Sequence, residues 1–387
     1  MSGYIKRQIT EIIKAQQSKF PVLAVTGPRQ SGKTTLLKEL FSDYRYISLE
    51  NPDTRSFATD DPVGFLNQYN EKVIFDEVQR VPSLFSYIQT RVDESGHMGQ
   101  FILSGSQNFH LLTSITQTLA GRVALFKLLP LDFSELKAND LLENTYTSAA
   151  VKGFYPAIFD RDIDPVIFYA NYIQTYIEKD VTELLNIKDL KLFRTFLGLC
   201  AGRAGQLLNV SAIANECDIS QPTAKAWLSI LESSYIIFLL QPYHQNFNKR
   251  LVKSPKIYFY DTGLLNHLLG IRTAEELNEN RLKGNIFENM ILAEYQKKNH
   301  HRYLHQDYYF WQDSSGHEVD LLIKKHNGFD IFEVKATQTI TSALFKELDR
   351  FAEIAAPEKV NKTLIYGGVE NQERSNYKVL GWENISD

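Results

Sequence analysis

The chain has 387 residues and a formal net charge of −4, with 43% hydrophobic and 23% charged residues. That length predicts two or three soluble domains, and the charge excludes a globally basic nucleic-acid binder while leaving room for a local basic patch. The two cysteines, Cys200 and Cys217, fit neither a disulfide framework nor a metal-ligand spacing and read as buried thiols of a reducing compartment.

Met1 to Phe20 mixes Lys6, Arg7, Glu11 and Lys14 with isoleucines at near-helical spacing, which predicts an amphipathic helix and not a signal peptide. The longest apolar run, Tyr235–Leu240, is too short to cross a bilayer, so the expected location is cytoplasmic, with no membrane partner. From Pro21 to about Leu131 the short runs Val22–Thr26, Tyr46–Leu49, Val73–Phe75, Phe101–Leu103 and Val123–Phe126 alternate with helical stretches such as Thr34–Phe41 and Leu84–Asp93. Apolar strands with helical crossovers predict a parallel α/β sheet.

Gly27-Pro28-Arg29-Gln30-Ser31-Gly32-Lys33-Thr34 fits GxxxxGK[ST] and lies between an apolar strand and a helix, where a phosphate-binding loop belongs. The glycines let the backbone wrap the phosphates, and the amides with the helix N-terminus favour their charge. Lys33 reaches the β- and γ-phosphates, the Thr34 hydroxyl joins Mg2+, and Thr35 completes the set that contacts ATP. Asp76 ends an apolar strand, placed to organise the magnesium shell, and Glu77 follows it, placed to polarise the attacking water. Ser104 or Ser106, after another apolar strand, suits sensing of the γ-phosphate or ordinary turn chemistry. Arg122, before the next strand, suits stabilisation of transferred charge within one subunit or across an interface in a homo-oligomer; a surface arginine is the plainer reading.

These motifs resemble those of the bacterial and archaeal AAA+-type ATPases that carry a conserved C-terminal domain of unknown function. The resemblance rests on Gly27–Thr34, Phe75–Gln79, Leu103–Gln107 and Leu119–Arg122. It continues through Tyr176–Asp180, Trp227–Leu231, Lys253–Lys256, Asp261–Leu264 and Phe287–Asn289. The pattern places the ATPase domain over residues 1–132; the resemblance implies an additional-strand ATPase core, with Glu77 as the catalytic glutamate, and no settled biological role.

Residues 133–280 read as a mostly helical domain. Within it Val210–Cys217 and Gln221–Ser234 flank a tight turn, and Tyr235–Leu240 pairs with Ile257–Tyr260, a winged helix-turn-helix pattern. Between Lys191 and Lys256 there are 8 Lys and Arg against 3 Asp and Glu. Lys249, Arg250, Lys253 and Lys256 in the wing, with Lys225 on the second helix beside Gln221 and Thr223, are the expected contacts to double-stranded or branched DNA. A winged helix serving only as a lid on the ATPase is the alternative.

Residues 281–387 read as a small α+β domain, with Glu288 on a helix, Asp320 on a strand, and Glu333 and Lys335 on one face of the next strand. Close carboxylates make a site for a hard divalent metal, and Lys335 would orient or deprotonate the attacking water. This set resembles the PD-(D/E)xK nuclease superfamily, without a proline before Asp320. The alternatives are a carboxylate–lysine pair on a solvated sheet face, or a degenerate fold that only binds DNA. His300, His301 and His305 read as a loop cluster outside any metal spacing. The overall expectation is a nucleotide-driven machine acting on DNA; the rival is an ATP-dependent regulatory switch that presents a protein-interaction surface without cleavage.

Overall fold

The computed structural model describes residues 4–106, 118–177, 189–244 and 252–385. Lys249 and Arg250 lie outside the described residues. In the N-terminal part, strands β1 (Val22–Thr26), β2 (Arg45–Ser48), β3 (Val73–Asp76), β4 (Phe101–Gly105) and β5 (Val123–Lys127) form one parallel sheet in the order β2-β3-β4-β1-β5. Strands β1, β3 and β4 are buried throughout, as a sheet covered on both faces requires. The insertion of β4 between β1 and β3 is the additional-strand order the resemblance implies. It matters because β1 and β3 each end in a functional loop, and β4 sets the gap between them. The N-terminal helix covers Thr10–Gln16 only.

Residues 128–283 are mainly helical. Asn209 and Ser220 cap the helices Val210–Glu216 and Gln221–Ser233 by accepting from the Ala212 and Thr223 amides, and Pro222 sits in the first turn of the second. Trp227 packs edge-on against Phe193 and Phe196, a core role rather than a base-stacking one. Both cysteines are buried free thiols. The antiparallel pair β6 (Ile237–Pro242) and β7 (Lys256–Phe259) follows.

That hairpin does not stand alone as a wing. β6 also pairs with β8 (Tyr308–Gln312), the first C-terminal strand. With β9 (Glu318–Lys325), β10 (Gly328–Lys335), β11 (Lys359–Tyr366), β12 (Gln372–Arg374) and β13 (Tyr377–Gly381) they form an eight-stranded mixed sheet, ordered β12-β13-β11-β10-β9-β8-β6-β7. β13 extends this sheet in parallel beyond β11, and the short β12 pairs antiparallel with it at the edge. The helix Lys283–His301 is clamped to β7 by Asn289, whose side-chain amide donates to the Phe259 carbonyl and accepts from the Phe259 amide, each at 2.8 Å. Among the described residues no helix is long and apolar enough to cross a membrane.

Candidate functional site

The loop after β1 has the backbone that its glycines demand. Gly27 has φ +154°, and a Cβ there would collide with the Leu128 carbonyl. Gly32 has φ +92° at the start of the helix Lys33–Leu40. The buried Lys33 ammonium donates to the carbonyls of Gly27 at 2.9 Å and Pro28 at 2.8 Å. Burial lowers its pKa to about 8, against the opposing pull of Glu77 and Asp76.

Asp76, at the end of β3, is held from three sides. Its Oδ2 accepts from Thr34 Oγ1 at 2.8 Å and from the Tyr46 hydroxyl at 2.6 Å, and its Oδ1 accepts from the Ser104 hydroxyl. Burial alone would raise its pKa, but these hydrogen bonds and the Lys33 charge outweigh it and hold the carboxyl below its usual range. Glu77 takes φ +55°, a left-handed conformation that a glutamate adopts only under constraint. Its Oε2 accepts from Ser106 Oγ at 3.1 Å and from the Gln79 amide. Ser104 and Ser106 therefore each bind one of the two carboxylates.

A cleft of about 500 Å3 opens over this loop, lined by Gln30, Lys33, Thr34, Thr35, Glu77, Arg161 and Tyr176 among others. The residues present fit ATP with Mg2+. Ser31 Oγ is buried in the loop with no partner, Thr34 and Asp76 offer oxygens to a hard cation, and Lys33 already lies on the loop's own carbonyls. Tyr46, which reaches Asp76, and Arg161, which lines the cleft, have no signal in the sequence, since tertiary packing brings both to the site.

Replacing Tyr46 by Phe removes one of the bonds that aim Asp76. The expected outcome is magnesium-dependent nucleotide affinity about fivefold weaker, the worth of roughly 1 kcal/mol for one hydrogen bond. Calorimetric titration of nucleotide at several magnesium concentrations reads it, and an unchanged magnesium dependence would remove Tyr46 from the site.

Arg122 lies elsewhere. It precedes Val123, the partner of Val22, so it sits at the opposite end of the sheet from the loop after Thr26, about 13 Å of strand away. There it pairs with Asp93 through two bonds of 2.5 and 2.8 Å. The placement separates it from the phosphate-binding loop of its own chain, which leaves the between-subunits role or an ordinary surface arginine paired with Asp93.

A second polar site forms at β9 and β10. The register Phe332↔Leu321 carries Glu333 alongside Asp320. Lys335 Nζ lies 2.5 Å from Glu333 Oε1 and 3.4 Å from Asp320 Oδ2, and Asp320 Oδ2 also accepts from the Val334 amide at 2.8 Å. Glu333 Oε2 is buried without a partner. Burial, then the charge of Asp320, raises the Glu333 pKa to about 8. Glu288 joins through its helix: it, Glu318 and Asp320 present oxygens within 4.8 Å of one another. Glu318, two residues before Asp320 on the same face, was passed over in the sequence. The all-oxygen donor set and the orphaned Glu333 oxygen fit a hard divalent cation.

Lys256 is a correction. Expected on an exposed wing, it is buried in β7, with its Nζ 3.0 Å from Glu288 Oε1 and bonded also to Glu318. The reason is the packing of β7 against the helix Lys283–His301, which turns the strand's inward face onto Glu288. Lys225 and Lys253 are exposed as expected, whereas Gln221 is engaged locally, donating to Ser211 at 2.8 Å. His301 is a second correction. It ends a helix instead of lying in a loop, is fully buried, and meets Asp132 at 2.7 Å. Beside it Arg7 bonds Glu135 at 2.9 Å and the Ser31 carbonyl of the phosphate-binding loop at 2.8 Å.

Three family models match successive parts of the chain. An AAA domain matches residues 19–137, a domain of unknown function (DUF8612) residues 143–275, and another (DUF4143) residues 283–385. An uncharacterized protein of Mycobacterium tuberculosis is 30% identical over 339 residues, 86% of this chain and 74% of its own length. One of Haemophilus influenzae is 22% identical over 320 residues, 74% of this chain and 78% of its own length. Among solved structures, the Walker-type ATPase PABY2304 of Pyrococcus abyssi aligns at a TM-score of 0.44 and 14% identity over 67% of this chain and 94% of its own. The RuvB Holliday junction branch migration motor of Thermotoga maritima aligns at 0.29 and 18% over 60% and 88%. With its phosphate-binding loop, its parallel sheet and its match to the AAA domain, the chain is a P-loop ATPase of the AAA type that takes ATP and Mg2+, and it belongs to the same family as the mycobacterial protein.

Proposed function

We propose that the chain hydrolyses ATP at the P-loop and uses that cycle to control a DNA-cleaving C-terminal module, with the helix-turn-helix contributing to the grip on DNA. The observation that carries the DNA-directed half is the gathering of Asp320, Glu333 and Lys335, with a buried Glu333 oxygen left unpartnered. A divalent cation held by Asp320 and Glu333 would polarise a phosphodiester and its attacking water. Lys335, bonded to both carboxylates, is placed to orient that water and offset charge on the phosphate. In the ATPase half, Lys33 binds the β- and γ-phosphates, Thr34 and Asp76 position magnesium, and Glu77 polarises water.

Cleavage of linear and branched DNA with magnesium or manganese, measured beside ATP turnover, tests this reading. Asp320→Ala is expected to lose cleavage, because the carboxylate pair falls to one ligand. Lys335→Ala is expected to lose cleavage while keeping metal binding, because an ammonium is not a ligand. Both should keep wild-type ATP turnover. A wild-type protein that cuts nothing, or an Asp320→Ala variant that cuts normally, sinks the nuclease reading.

The rival reading, an ATP switch with a protein-interaction surface, gains from the burial of Lys256, which takes one cation out of the basic set. Salt dependence separates the two. Neutralising Lys225 and Lys253 is expected to lower the slope of log affinity against log salt by about one unit per lost phosphate contact. Absence of DNA binding at low salt would favour the switch.

A further inference from the structure

The carboxylates around β9 outline two cation positions. One lies between Asp320 and Glu333, where the partly exposed Lys335 side chain reaches both carboxylates from the solvent side but leaves Glu333 Oε2 unpartnered. The other lies among Glu288, Glu318 and Asp320, whose oxygens come within 4.8 Å of one another. This second position already holds a positive charge, the Lys256 ammonium, 3.0 Å from Glu288 and bonded to Glu318.

Lys256 is not a surface lysine that happens to lean inward. Its side chain is 5% exposed. Its ammonium lies over the Phe310 ring at 5.6 Å, and β7 is fixed to the helix of Glu288 through the two Asn289 bonds. Tyr258, on the same strand, donates to Glu288 Oε1 at 2.5 Å, so the carboxylate is aimed by strand and helix together. The charges agree with this arrangement. When ionised, the four carboxylates Glu288, Glu318, Asp320 and Glu333 exceed Lys256 and Lys335 by two negative charges, which one divalent cation balances and two would overshoot.

We propose that Lys256 is a tethered cation occupying what would otherwise be a second divalent-metal position among Glu288, Glu318 and Asp320, so that the C-terminal module is built for a single metal at Asp320 and Glu333. The single-metal part rests on the proposed nuclease reading; the part about Lys256 does not. A buried ammonium that replaces a metal keeps its charge in place without exchange, and no free-metal concentration displaces it as long as the strand holds it.

Counting bound Mn2+ by electron paramagnetic resonance on the nucleotide-free full chain tests this, since the P-loop contributes equally to every variant and cancels in differences. Lys256→Met is expected to bind one more Mn2+ per chain than wild type, and Mn2+ should raise its melting temperature more than that of wild type. Lys256→Gln, which keeps an N–H donor toward Glu288, should show the same gain and serves if the methionine variant does not fold. Glu318→Gln is expected to leave the wild-type count unchanged, because Glu318 is already satisfied by Lys256. An equal count in folded Lys256 variants, or the loss of an ion in Glu318→Gln, overturns the proposal. Asp320→Asn tests the underlying reading separately: it should bind one ion fewer than wild type. If it does not, the metal at Asp320 and Glu333 is wrong, and the gain on removing Lys256 still decides whether that lysine stands in for a cation.

Discussion

Lys33→Ala is expected to weaken ATP binding by at least about 100-fold, a loss near 3 kcal/mol, the upper range for hydrogen bonds to a charged group. The ammonium is buried, donates to the Gly27 and Pro28 carbonyls, and is the cation the loop itself directs at the phosphates. Alanine leaves the loop amides in place but removes the buried ammonium of the loop itself, the charge placed to meet the β- and γ-phosphates. The same lysine gives binding a pH dependence whose sign is fixed. Its pKa stands near 8 without nucleotide because burial disfavours the charged form, and phosphates stabilise that form and raise the value. Below about pH 8 the ammonium is present and affinity is full. As pH rises above 8, binding must first take up a proton, and affinity falls. Calorimetry at fixed magnesium across this range reads both effects, and Lys33→Ala with wild-type affinity would remove the P-loop assignment.

Glu77→Gln is expected to bind ATP as wild type does and turn it over about 100- to 10,000-fold more slowly, the range typical of a positioned general base. The amide keeps the size of the side chain and can still accept from Ser106, so the left-handed backbone at this position need not relax. What is lost is the basic oxygen. Single-turnover hydrolysis measured beside nucleotide affinity separates the two, and turnover within a few-fold of wild type would assign the water to another residue.

The ATPase core was legible because its signals are local. The strands announce themselves as short apolar runs, most plainly the fully buried β1, β3 and β4, and the glycine spacing of residues 27–34 encodes a loop geometry directly. Asp76 and Glu77 could be read because a strand end fixes where they point. Glu333 and Lys335 were legible for a similar reason, since alternation places them on one face and hairpin pairing brings Asp320 across. Where partners come from distant elements, the sequence was silent. Tyr46 reaches Asp76 across the sheet edge, and Lys256 meets Glu288 only because a helix thirty residues later packs on its strand. A cluster of lysines around a predicted wing looks the same in sequence whether its members face solvent or a carboxylate. The position of Arg122 was not legible for a simpler reason: proximity in sequence to a strand does not say which end of the sheet that strand end occupies.

The helix Lys283–His301 has a consequence for how such a chain can be taken apart or recombined. By sequence it opens the C-terminal segment, yet Asn289 completes the backbone of β7, Glu288 neutralises Lys256, and His301 at its far end is enclosed with Asp132 beside the P-loop. The helix is thus shared property of three segments that a sequence alignment would treat as separable cassettes. Cutting the gene just before it would strand a buried lysine without its counter-charge and leave β6 with an open edge, the kind of unpaired strand that recruits another chain. Exchange of C-terminal segments between relatives would therefore have to carry β7 along, and the natural junction for shuffling lies upstream of the hairpin.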